Sequence, residues 1–139
     1  MGDTGVMITY LLDTNVLIDV LRDKPKGARD KFQELGIDNC VVSDITVYEL
    51  YAGAAASAQP DRNKDFLESM FDKLAVIPAS DGYWTAAREK VRLIKAGTPI
   101  EEKDLLIGCT ALEYGLCLVT GNVKHMERIQ GLRVQKWLE

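Results

Sequence analysis

The hydrophobic pattern changes period repeatedly along this chain, and each change marks an expected element. VMITYLLD (6–13) is apolar almost throughout and rich in β-formers, which predicts a strand buried on both faces. In TNVLIDVLRD, Val16, Ile18, Val20 and Leu21 fall among polar residues and predict a short helix. PKGARDKFQELG (25–36) predicts a second helix: Pro25 lies near its start, Ala28, Phe32 and Leu35 at helical spacing, and Gly36 at its end. CVVS (40–43) predicts a second strand, and Ser43 or Asp44 can cap the helix through ITVYELYAGAAASA. Asp61 and Asn63 are cap candidates for a helix with Phe66, Leu67, Met70, Phe71 and Leu74 on one face. LAVIP (74–78) predicts a third strand. Ser80 is the expected cap of a long helix through Tyr83, Trp84, Ala87, Val91 and Ile94, closed by Gly97. EEKDLLIGCTALEYG (101–115) predicts a further helix, LCLVT (116–120) a fourth strand and LRVQ (132–135) a weaker fifth.

Strands thus alternate with helices. That predicts an α/β sandwich: a central, mainly parallel sheet of four to five strands flanked by helices, one domain over residues 1–139. Composition agrees, with 47% hydrophobic and 27% charged residues. No apolar run approaches the ~18 residues of a membrane span. MGDTGVM lacks the marks of a signal peptide, and Val6 stands where myristoylation wants Ser or Thr, so a cytoplasmic place is expected. Cys40, Cys109 and Cys117 sit in apolar segments with no CxxC and are expected as free thiols. A net charge of −4 argues against a protein that holds nucleic acid mainly by an electropositive surface.

Polar residues gather where the strands end, the place where α/β folds collect their functional groups. Asp13 closes the first strand, and Thr120 and Asn122 follow the fourth. Glu49 lies one turn into the helix after the second strand. Asp104 lies in the first turn of the helix before the fourth strand, beside an apolar face of Leu105, Leu106, Cys109, Leu112 and Leu116. Each has an ordinary structural role as well. Asp13 can cap a helix with Asn15 supporting the turn. Glu49 can be a solvated helical residue, Asp104 can favour the helix dipole, and Thr120 and Asn122 can be turn residues. Asp19, Asp44, Glu101 and Glu102 read as solvated or capping. Convergence of three carboxylates shifts the balance, because like charges gathered at one sheet end repel and are costly to bury unpaired. A divalent cation relieves that cost. Mg²⁺ and Mn²⁺ prefer hard oxygen ligands and can activate water against a phosphodiester. No P-loop, GxGxxG, GxSxG or HExxH offers a competing chemistry. The sole histidine, His125, leaves no multi-histidine zinc site and is expected in a loop or at the core edge.

LLDTNVLIDVL, SDITVYELYAGA and IEEKDLLIGCTALEYGLCLVTGNVKHMERIQGLRV together resemble the PIN domain, and within it the VapC-type toxins of bacterial toxin–antitoxin pairs. The resemblance implies a PIN-like three-layer sandwich and a metal-dependent endoribonuclease with Mg²⁺ or Mn²⁺ in an acidic cluster. Asp13 is then the first acid and most direct ligand, Glu49 the second and Asp104 the third, Glu49 binding directly or through water. Asn122 stands where many PIN domains have Asp, which favours one held metal over two. Asn15 and Thr120 match residues that support the site. Gly108-Cys109 replaces an Ala-Ala pair frequent in the family. His125-Met126 stands where a polar residue and Phe are common, a position suited to packing below the site.

The mechanism implied is hydrolysis of RNA, with Glu49 accepting a proton from water and Asn122 and Thr120 orienting water or substrate. Lys24, Lys26, Lys64, Arg88, Lys95 and Lys103 are candidate phosphate contacts. The resemblance also implies a homodimer and a cognate antitoxin that sets a basic residue in the acidic pocket. Tyr48, Tyr51, Trp84 and Trp137 could face such a partner, but core packing is expected of each. Two alternatives stand beside this reading. One is a catalytically inactive PIN-like module that binds RNA or protein. The other is a phosphatase of the haloacid dehalogenase kind, whose chemistry wants a second Asp where Asn15 stands.

Overall fold

Five parallel strands line up in an order that puts the earliest of them in the middle. They are β1 (Tyr10–Leu12), β2 (Cys40–Ser43), β3 (Ala75–Ile77), β4 (Cys117–Thr120) and β5 (Arg133–Lys136), in a computed structural model that describes residues 9–138. The sheet runs β3-β2-β1-β4-β5. Leu11 of β1 pairs with Val41 on one side and Leu118 on the other. The part of the expected first strand at 6–8 lies outside the described residues.

Among the described residues, seven helices connect and cover the strands: α1 (Thr14–Arg22), α2 (Ala28–Leu35), α3 (Asp44–Ala55), α4 (Pro60–Phe71), α5 (Tyr83–Lys95), α6 (Glu102–Glu113) and α7 (Val123–Met126). Successive strand residues point to opposite faces, so each inner strand feeds two cores. Leu12, Val42 and Val119 pack with Val16, Leu17, Leu50 and Leu67 of α1, α3 and α4. Leu11, Val41 and Leu118 pack with Ala86 and Leu93 of α5, Leu105 and Ile107 of α6, and Met126 of α7. The three layers follow from this alternation. Among the described residues no helix is long and apolar enough to cross a membrane. Cys40, Cys109 and Cys117 are free. Burial pushes the Cys40 thiol up to about 11 and the Cys109 thiol up to about 12.

The structure corrects several expectations. α4 begins at Pro60, which needs no N–H partner in a first turn, so Asp61 and Asn63 lie inside the helix rather than capping it. Ser80 falls within a 3-10 turn, Ala79–Gly82, and does not cap α5. The apolar side expected for α5 is largely the exposed one: Trp84 is 73% exposed, with Tyr83, Val91 and Ile94 also outside. Ala86, Glu89 and Leu93 face inward instead. Two contacts fix this orientation. A Cβ on Gly82 would lie 2.9 Å from the Thr110 backbone nitrogen, so only glycine lets the turn seat on α6. Buried Glu89 is satisfied by the Arg92 guanidinium at 2.5 Å and the Gln130 N–H at 2.8 Å. Tyr48 is exposed too, because α3 buries Thr46, Leu50 and Ala54. Tyr51 and Trp137 do pack, Tyr51 against Phe71 and Trp137 in the core, its indole N–H 3.2 Å from Asp19 Oδ2.

Candidate active site

The chain changes direction across the sheet at β1. β2 and β3 are added on one side and β4 and β5 on the other, so a crevice opens beyond the carboxyl ends of β1 and β4. Asp13 follows β1 at that point. Its N–H extends the ladder by one bond, to the Val119 carbonyl at 3.0 Å. Its side chain is buried, 5% exposed, and both oxygens are held. Oδ1 accepts the Thr14 N–H at 2.8 Å and Oδ2 accepts the Thr120 hydroxyl at 2.7 Å. Capping of α1 and delivery of a fixed carboxylate are therefore one arrangement rather than alternatives. Thr120 accepts the Asn122 N–H at 2.9 Å, so its single proton is committed to Asp13.

Thr14 carries the network onward. Its hydroxyl donates to Glu49 Oε1 at 2.6 Å, which leaves Thr46 as the donor in the 2.8 Å contact between the two threonine hydroxyls. The other oxygen of Glu49 meets Lys103 Nζ at 2.7 Å. Lys103 and Asp104 are adjacent in the first turn of α6, which brings that turn over the strand ends. Asn122 Oδ1 lies 2.6 Å from His125 Nδ1, and His125 is exposed rather than packed below the site. Met126 fills that place, fully buried.

Charge is strained here. Burial holds the Asp13 carboxyl above the usual range, opposed by the hydrogen bonds from Thr120 and Thr14 and reinforced by the Glu49 charge. Burial and the charges of Asp13, Glu101 and Glu49 raise Asp104 likewise, with Lys103 opposing. Bonding to Glu49 raises the Lys103 ammonium. Among the described residues, no group of three His, Cys, Asp or Glu side chains stands ready to hold a metal ion; Glu49 is engaged by Thr14 and Lys103.

A family model of the PIN domain matches residues 10–132. The chain belongs to the PIN-domain family. Within it, the chain is 34% identical over 136 residues to the tRNA(fMet)-specific endonuclease VapC of Salmonella typhimurium, covering 94% of this chain and 99% of that protein. It is 35% identical over 135 residues to ribonuclease VapC2 of Haemophilus influenzae, covering 95% and 100%. The DNA-bound VapBC structure from Salmonella typhimurium superposes with a TM-score of 0.86 at 32% identity, over 95% of this chain and all of that one. The three-layer parallel sandwich is thus the PIN fold, and the chain is of the VapC kind.

In this PIN domain the expected residues divide. Asp13, Thr120 and Glu49 join one network through Thr14, and Asp104 is coupled to them by charge. Asn122 joins through its backbone. Asn15 is exposed on α1, and its side chain makes no hydrogen bond among the described residues. Sequence reasoning passed over Thr14 and Thr46. Thr46 could have been found, since it precedes Glu49 by three residues and shares its helix face.

Proposed function

We propose that the chain is a single-domain endoribonuclease whose Asp13, Asp104 and Glu49 hold one divalent cation, Mg²⁺ or Mn²⁺. The observation that carries this is buried Asp13, fixed at both oxygens at the switch point of the sheet and electrostatically coupled to two more carboxylates. The donor set fits: hard oxygens whose mutual repulsion a dication relieves. Bound there, the cation supplies Lewis acidity to water and to a phosphoryl oxygen.

The protein's own groups do the rest. Thr14 and Thr120 fix Asp13 with one donor on each oxygen, which leaves each oxygen further acceptor capacity. Glu49, half-buried and reachable from solvent, accepts the proton of the attacking water. His125 engages the Asn122 amide oxygen, which leaves the amide N–H₂ to donate to a phosphate. Thr120, its proton spent on Asp13, is a positioning residue. RNA enters as an accessible single strand. Such a substrate places the work in the cytoplasm.

The chain works as a homodimer. It is restrained by a cognate antitoxin, and the VapBC assembly of the Salmonella relative supports that restraint. A groove of about 370 Å³ between α1, α3 and α4, lined by Ile18, Leu21, Phe66 and Leu67, reaches Glu49 and gives that partner a path to the acids. The decisive experiment incubates the antitoxin-free protein with a mixed RNA pool in Mg²⁺, Mn²⁺ or EDTA. Cutting that is lost in EDTA and in Asp13→Asn is expected. A folded protein that leaves every RNA intact under both metals would sink the reading.

A further inference from the structure

Among the basic side chains considered for phosphate contact, Lys103 is the one whose ion pair enters the acidic site. Its ammonium sits 2.7 Å from Glu49 Oε2, whereas Lys64 is occupied 3.6 Å from Glu68 on its own helix. Position explains this. Lys103 precedes Asp104 in the first turn of α6, so the turn that presents the carboxylate also presents the ammonium. Glu49 is thereby held from both ends, by Thr14 at one oxygen and by Lys103 at the other. The Lys103 side chain is 51% exposed and that of Glu49 18%. A pair with one half-exposed partner is weakly held, so a dication can displace it. The Lys103 charge also favours ionised Asp13 and Asp104, as a counter-ion should.

We propose that Lys103 is the resident counter-ion of the acidic site, pairing with Glu49 until a divalent cation displaces it and then taking an RNA phosphate, a role that rests on the nuclease reading above. Lys103 is thus a positioning residue for Glu49 in the free protein and a substrate contact in the loaded one. A purely structural tie between α3 and α6 would change melting temperature and leave cation affinity alone.

The test is Mn²⁺ binding to the full, partner-free chain, followed by electron paramagnetic resonance and calorimetry for wild type, Lys103→Met, Lys103→Arg and Asp13→Asn. Thermal melts verify that each is folded. Lys103→Met is expected to bind Mn²⁺ about three- to fivefold more tightly, the scale of a half-exposed pair that no longer has to be broken. Lys103→Arg should stay near wild type. With RNA, Lys103→Met should raise KM severalfold and change kcat less. Unchanged or weaker Mn²⁺ binding by folded Lys103→Met overturns the counter-ion role and leaves the nuclease standing. Tighter binding with an unchanged KM overturns the phosphate contact. No Mn²⁺ binding by wild type, or binding indifferent to Asp13→Asn, overturns the nuclease reading and this role with it.

Discussion

Two carboxylates of one site are held in opposite ways. Asp13 is buried, anchored by its own backbone to β4 and bonded at both oxygens by groups from two adjacent strand ends. Glu49 extends from a helix, is reachable from solvent, and is held by one threonine hydroxyl and one half-exposed lysine. One side of the site is built in advance and the other is set by exchangeable contacts. Preorganised groups avoid reorganisation when charge develops, whereas an adjustable group can change partners through a cycle.

Four experiments press on that contrast. Asp13→Asn should give the largest effect, a loss of RNA cleavage of roughly a thousandfold, the scale of removing a principal electrostatic group. Exchanging lengths sharpens the point. Asp13→Glu keeps the charge but displaces it from a fully packed strand end, and should cost about a hundredfold. Glu49→Asp, on the exchangeable side, should cost less than about tenfold in the same assay. Equal losses in these two variants would erase the distinction. Next, Thr120→Val leaves Asp13 Oδ2 without its donor and the Asn122 N–H without its acceptor. Cleavage should fall about tenfold, as for a lost orienting bond. Stability by urea titration should fall by about 1–2 kcal/mol.

The smallest effect on stability has the opposite sign. Asp104→Asn removes a charge that burial, Asp13, Glu101 and Glu49 all disfavour. The cation-free variant should gain about 0.5 kcal/mol at neutral pH, after allowing for solvent screening, and melt about 2 °C higher. The folded-state pKa of Asp104 lies above its ordinary 3.8, so the native protein takes up this proton before the unfolded chain does. The penalty is full above the raised value and disappears as pH falls to 3.8. Melting curves of wild type and variant should therefore converge in acid. Cleavage by the variant should be strongly reduced, a site held at some cost to stability.

Much of this was legible in the sequence, and the exceptions share a cause. Continuous apolar runs located the three inner strands β1, β2 and β4, because a strand buried on both faces can carry little else, whereas the edge strands β3 and β5 are partly exposed and β5 was the weaker signal. Asp13 was legible as the residue that ends β1, while Glu49, one turn into α3, and Asp104, in the first turn of α6, were legible only as carboxylates near helix starts. The inward face of α5 was not. Its apolar residues outnumber Ala86, Glu89 and Leu93, yet a buried Glu89 with three hydrogen bonds from Arg92 and Gln130, and a glycine seat, decide which side turns in. Gln130 and the Thr110 backbone lie far along the chain, and local periodicity carries no record of them. Gly108 is a similar case. Read alone it weakens α6 by about 1 kcal/mol. In the fold a Cβ there would stand 2.4 Å from Ile129 Cδ1, so its absence makes room for the side chain that closes the second core. Lys103 was one basic residue among six until its partner was seen.

The central place of β1 governs when the enzyme comes into being. Asp13 is translated early, but the hydroxyl that orients it belongs to Thr120, 107 residues later. Contacts of such sequence separation form late, after the loop they close has lost its freedom. During synthesis at about 5–20 residues per second, the codons between Asp13 and Thr120 take roughly 5–20 seconds to translate. A ribosome that stalls before β4 therefore releases a fragment with Asp13 but no assembled site. The sheet order thus ties the completion of the Asp13 support to the synthesis of β4.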